Sequence, residues 1–122
     1  MTVVGVGIDL VDVARFSTIL ERRPSLTRRL FTEREQHDAA GRPERLAARF
    51  AAKEATLKAL GVGLGAAKWH DMEVRRDASG APTLVLSGAA RDLAASCGAT
   101  TWSVSLTHTS LSAGAIVIGE AS

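Results

Sequence analysis

The sequence predicts an α+β fold, a mainly antiparallel sheet with helices on one face and one long central helix. Three observations carry this. The chain opens on an alternating, β-branched stretch, VVGVGI (3–8), and ends on two more strand-like runs, 101–107 and 113–119, joined by a short polar turn. A helical pattern runs unbroken from Pro43 to Leu60. The predicted element order is β, α, α, α, β, β, α, β, β, which suits helices laid on one face of an antiparallel sheet.

Each element has its own signal. The first strand ends near Asp9, and Asp12 caps a helix that runs to about Arg22 and stops before Pro24. Thr32-Glu33-Arg34-Glu35 is a capping-box pattern opening a short helix that ends near Gly41. Pro43 suits a helix first turn, and Gly61 stands just past the end of the long helix. Residues 69–76 and 82–87 read as strands around a turn at Ala78-Ser79-Gly80, followed by a helix from about Ala89 to Cys97 that Gly98 ends. With 122 residues and no repeat, linker or low-complexity tract, residues 1–122 read as a single domain.

Composition narrows the class. Hydrophobic residues make up 46% and charged residues 23%, a globular balance, and with five aromatics and no tyrosine the core must be Ala, Val, Leu and Ile. The single Cys97 forms no internal disulfide and reads as a small packed residue. No apolar run reaches the roughly 18 residues of a membrane span. The opening MTVVGVGIDL lacks the basic start of a signal peptide, so a soluble, cytoplasmic protein is expected. Net charge is +2, but between Val13 and Thr32 stand Arg15, Arg22, Arg23, Arg28 and Arg29 against Glu21 alone, +5 − 1 = +4. Two readings of that segment stand side by side: a solvated face, or a patch that steers an acidic partner. Nucleic acid is not expected, because only Phe16 and Phe31 are there to stack on bases.

The long helix poses the central question. At about 100° per residue, Leu46, Phe50, Leu57 and Leu60 share a sector of about 80°, while Ala48, Ala52, Ala55 and Ala59 form a ridge on the other side. Such a helix packs on two sides, the alanine ridge admitting another backbone at close range. Yet Lys53 lies inside the large apolar sector, Arg49 and Glu54 lie near its edges, and Lys58 is about one step from Glu54. Charge buried without a partner costs several kcal/mol, roughly, so each must be paired, reach water or hold something. One reading is an internal Lys–Glu pair with long stems reaching solvent. The other is an anionic ligand held by Arg49, Lys53 and Lys58, with Glu54 and Asp9 on a metal. Two carboxylates with ligand phosphates and waters are the usual setting for Mg²⁺.

Three stretches, GVGIDLVDVARF (5–16), ARFAAKEATLKALG (48–61) and SLTHT (105–109), occur in this order and spacing. Together, with WHDMEV (69–74) and the C-terminal hairpin, they make the chain similar to holo-acyl-carrier-protein synthases, the short, trimeric branch of the 4′-phosphopantetheinyl transferases. That family moves the phosphopantetheine arm of coenzyme A to a serine of apo acyl carrier protein and releases adenosine 3′,5′-bisphosphate, for fatty acid or polyketide synthesis. The resemblance implies Mg²⁺ on Asp9 and Glu54, and catalytic work by Asp9, Glu54 and Lys58. It implies coenzyme A contacts at Arg49, Lys53, Lys58, His108 and Thr109, with Lys53 either acting on the transferred phosphate or holding the carboxylate. Some relatives carry an acidic residue where Thr109 stands, so no carboxylate is expected there. Arg15 matches a position that grips the acidic carrier, with Arg22, Arg28 and Arg29 as helpers. A homotrimer with active sites between subunits is implied as well.

Phosphoryl transfer needs positioning and charge neutralisation above all, which suits such a residue set. The nucleophile is the carrier's serine, whose proton passes to Glu54 or to metal-bound water. His37 and His70 read as surface or structural, GVGLG (61–65) as a helix stop and turn, and Trp69 and Trp102 as core or subunit contacts. Two other functional classes remain open: a non-catalytic basic module that binds an acidic protein, and a Mg²⁺-dependent nucleotide phosphohydrolase.

Overall fold

A strand can lie against a helix at backbone range only where both surfaces lack side chains, and this pairing organises the molecule. The computed structural model describes residues 1–122. The first strand, β1 (Thr2–Asp12), turns Gly5 and Gly7 towards the long helix α4 (Pro43–Leu60). A Cβ on Gly5 would strike the carbonyl oxygen of Ala59, and one on Gly7 that of Ala55. The alanine ridge therefore meets a glycine strand, and β1 sends Val6, Ile8 and Leu10 outward, with Ile8 67% and Leu10 72% exposed. Gly7→Ala forces the helix and strand apart. It is expected to cost about 1–3 kcal/mol or more, read as a lower urea midpoint; an unchanged midpoint would show that this contact has slack.

Around that pair the elements follow the expected order, with one addition. Helix α1 (Val13–Arg22) is capped by Asp12, whose Oδ1 accepts from Arg15 N at 2.8 Å. A short helix, α2 (Ser25–Leu30), follows where no element was expected. Pro24, read as a stop, instead stands at the start of this helix, where its missing N–H costs nothing. In α3 (Glu33–Ala39) both bonds of the capping box form: Glu35 N donates to Thr32 Oγ1 and Thr32 N to Glu35 Oε1. Gly61 closes α4 in the left-handed conformation, as its place after the helix predicts.

The first residues of the expected strand 69–76 form a 3₁₀ turn, Trp69–Asp71, before β2 (Met72–Arg76), and β3 (Pro82–Leu86) returns beside it. Helix α5 (Gly88–Ser96) leads to the hairpin of β4 (Thr101–His108) and β5 (Ser112–Ala121). β1 runs three residues beyond its expected end, because Leu10, Val11 and Asp12 continue to pair with β5. All strand pairs are antiparallel, but they make two sheets, β1-β5-β4 and β2-β3. No helix is long and apolar enough to cross a membrane.

The core lies on both sides of α4. On one side Ala51, Ala52, Ala55 and Ala59 meet Val74, Ala115 and Val117. On another, Phe16 stacks on Phe50 with ring centres 4.9 Å apart, and Phe50 meets Trp69 at 5.3 Å. Lys53 is buried outright: its Nζ donates to Glu35 Oε1, Trp69 O and Met72 O, each at 2.8 Å. Burial holds its ammonium below the ordinary lysine range, with the Glu35 carboxylate pulling it back up.

Candidate active site

Two clefts hold the charged residues that the sequence singled out. The first forms where β1 passes α4. Asp9 stands two residues beyond Gly7, so its side chain emerges on the helix side, and Glu54 precedes the Ala55 that Gly7 touches. Both carboxylates line a cleft of about 360 Å³ with Arg15, Phe16, Ile19 and Phe50. Glu54 is pushed above the ordinary carboxylate range by burial and by the adjacent Asp9 carboxylate, while Lys58 pulls it down. Lys58 Nζ donates to Asp9 Oδ1 at 3.0 Å and to the Ile8 carbonyl at 2.9 Å. Two carboxylates pressed together need positive charge, and a single ammonium on one edge supplies part of it. Nowhere do three or more His, Cys, Asp or Glu side chains group as metal ligands. That donor set fits Mg²⁺, which takes one or two carboxylates and fills its octahedron with water and substrate phosphate.

The second cleft, about 320 Å³, lies between α4, the β2-β3 hairpin and β4. Arg45, Arg49, Arg76 and His108 line it, with Asp38 as the only acid. Arg49 is 5% exposed, its Nη1 donates to the Arg45 carbonyl at 3.3 Å, and its Nε has no partner. Burial lowers its pKa, and Asp38 and Glu35 oppose that shift. A buried donor without an acceptor, among three guanidinium groups, is suited to an anion. Arg45 and Arg76 were missed by sequence reasoning. Arg45 lies one turn before Arg49 and could have been found on the helical wheel. Arg76 carries no local signal, since the hairpin fold alone brings it there.

Other expected residues fall differently. Lys53 is a correction. All three of its donors are used inside the protein, so none is left for a phosphate, and the Lys–Glu pair that the sequence left open is the one formed. Thr109 Oγ1 accepts from Leu111 N and Ser112 N at 3.1 and 3.0 Å, which makes it a hairpin-turn residue. Cys97 is exposed rather than packed. Arg22 ends α1, Arg28 and Arg29 end α2, and all three are exposed. His70 bonds the Arg28 carbonyl at 2.7 Å, a structural role as expected.

The sequence profile of the 4′-phosphopantetheinyl transferase superfamily matches residues 5–111. The chain belongs to this superfamily. Its relatives include the holo-[acyl-carrier-protein] synthase of Frankia casuarinae, 49% identical over 120 residues, covering 98% of this chain and 99% of that one. The synthase of Streptomyces coelicolor is 46% identical, with 98% and 99% covered. Among solved structures, the Bacillus anthracis holo-(acyl-carrier-protein) synthase in complex with CoA (3′,5′-ADP) matches with a TM-score of 0.81 at 34% identity over 100% of both chains. The Helicobacter pylori synthase in complex with coenzyme A matches with a TM-score of 0.85 at 27% identity, covering 94% of this chain and 99% of that one.

Proposed function

We propose that this chain is a holo-acyl-carrier-protein synthase, moving 4′-phosphopantetheine from coenzyme A to a serine of apo acyl carrier protein. The observation that carries the reading is the carboxylate pair Asp9–Glu54 with Lys58 beside it, in a superfamily member nearly half identical to synthases along its whole length. The serine Oγ gives up its proton, to Glu54 or to water, and forms a bond to the phosphorus that bears the pantetheine arm. The bond from that phosphorus to the bridging oxygen breaks, and adenosine 3′,5′-bisphosphate leaves with the charge.

Asp9 and Glu54 would hold Mg²⁺, which when bound offsets negative charge on the pyrophosphate and polarises the phosphorus. Lys58 stabilises charge that grows on the leaving group. The cleft of Arg45, Arg49, Arg76 and His108 receives phosphate of the nucleotide. Arg15, which lines the carboxylate cleft, and the exposed Arg22, Arg28 and Arg29 meet an acidic carrier.

We further infer a homotrimer. The carboxylates and the basic residues occupy separate clefts, and Val6, Ile8, Leu10 and Leu111 leave an apolar surface on and beside β1. Burying that surface against a second copy is favourable, and it would build a site from two subunits.

The test is the intact mass of an apo acyl carrier protein incubated with this protein and coenzyme A, with and without Mg²⁺. The carrier is expected to gain one phosphopantetheine only with Mg²⁺. Coenzyme A consumed without any gain on the carrier would favour the phosphohydrolase. Salt-dependent carrier binding with no chemistry would favour the basic module.

A further inference from the structure

We infer that the buried Glu35–Lys53 pair is a positioning device: it sets the rotation of α4 about its axis and so the placement of Glu54 against Asp9. The inference rests on the reading of Asp9 and Glu54 as the Mg²⁺ pair, and it gives Lys53 and Glu35 no contact with substrate.

The connections are short and directional. Both side chains are 0% exposed. Lys53 Nζ reaches Glu35 on α3, the Trp69 carbonyl in the 3₁₀ turn and the Met72 carbonyl at the start of β2, each at 2.8 Å. The second carboxylate oxygen of Glu35 accepts from Val74 N at 3.0 Å. One residue of α4 is thereby tied to α3 and to the backbone at 69–74. The residue on the other side of Glu54, Ala55, presents its carbonyl to Gly7 without room for a Cβ. Glu54 thus sits between two fixed neighbours on the helix, and Asp9 is two residues from Gly7 on the strand.

An apolar contact holds a helix in place without defining its angle, because hydrophobic attraction has no direction. A hydrogen-bonded ion pair defines it. A rotation of about 10° would carry a carboxylate roughly 6 Å from the helix axis by about 1 Å. Mg²⁺ wants its oxygens at about 2.0–2.1 Å in near-ideal octahedral geometry, so a displacement of that size is felt. This also accounts for a buried ion pair where apolar residues could stabilise the fold as well.

The test uses Glu35→Asp and Glu35→Gln in the full chain, at a temperature where circular dichroism shows each variant folded. Mn²⁺ binding to the metal-free protein, followed by electron paramagnetic resonance without coenzyme A, is expected to weaken about tenfold, the scale for residues that orient metal ligands. Coenzyme A affinity without metal should stay within about twofold, and kcat should fall with KM for the carrier unchanged. Partial unfolding would itself weaken the apparent affinity in proportion to the folded fraction, so the comparison is made only where that fraction is near one. Wild-type Mn²⁺ affinity in a folded variant overturns the inference. Wild-type protein that binds no Mn²⁺, or binds it equally well after Glu54→Gln, overturns the metal reading itself.

Should neither variant fold, the wild-type protein decides through linkage. Saturating Mg²⁺ is expected to slow hydrogen exchange at the Val74 amide more than at the amides of α5, and equal slowing overturns the inference.

Discussion

Lys53→Met is expected to destabilise the protein by about 3–5 kcal/mol, the usual cost of removing one partner from a buried ion pair. Methionine fills the space but leaves the Glu35 carboxylate with Val74 N as its remaining tertiary partner, and it leaves the carbonyls of Trp69 and Met72 without their donor. A domain of this size is held by about 5–15 kcal/mol in all, so the variant should be marginal at 37 °C. Urea unfolding measures the loss. A midpoint equal to wild type would mean that the three contacts of Lys53 contribute nothing net. The result also bears on how activity loss at this position is read: it would come from the fold and the placement of α4, since the ammonium has no donor free for a phosphate.

Glu54→Gln is expected to behave in the opposite way, folding normally and losing transfer by about a hundredfold or more. That is the scale for removing a group that stabilises charge developing in the transition state. Burial and the neighbouring Asp9 raise the Glu54 pKa. A carboxylate whose folded pKa lies above its unfolded value costs the fold stability once it ionises. The cost is absent below the ordinary value near 4.5 and complete above the raised one. The neutral variant should therefore melt at or above the wild-type temperature at neutral pH without metal, and that advantage should vanish below about pH 4.5. Mg²⁺ should raise the melting temperature of the wild type and leave that of the variant unchanged. Near-normal transfer by a folded Glu54→Gln protein would remove Glu54 from the metal site.

These opposed expectations come from adjacent residues in one helix, and the contrast marks what could be read from the chain. The motif placed both Lys53 and Glu54 near phosphate. Their azimuths differ by about 100°, so one points to β2 and the other to β1. Which strand lies on which side is a property of the sheet order, with β1 beside β5 and β2 in a separate hairpin. Helix α2 was hidden for a different reason. Six residues give too few turns for an apolar period, and a proline can stop one helix or start the next. Arg45, one turn before Arg49, was legible on the helical wheel, whereas Arg76 stands alone and carries no spacing signal. Only the folding of the β2-β3 hairpin over α4 brings Arg76 to Arg45 and Arg49.

The local elements are legible in the chain because capping and periodicity act over a few residues: Asp12 and Thr32 cap their helices, and Gly61 ends α4. The family is legible as well, since three separated motifs together constrain far more than any one of them. The sequence also showed that α4 carried more charge than burial allows without partners. How each charge is compensated depends on packing between distant segments. Lys53 finds Glu35 across 18 residues, Lys58 finds Asp9 across 49, and Arg49, which lines a basic cleft, keeps its buried Nε without a partner. A charge takes the partners brought within about 3 Å of it, and over such separations along the chain the packing of β1, α3 and β2 around one helix supplies them.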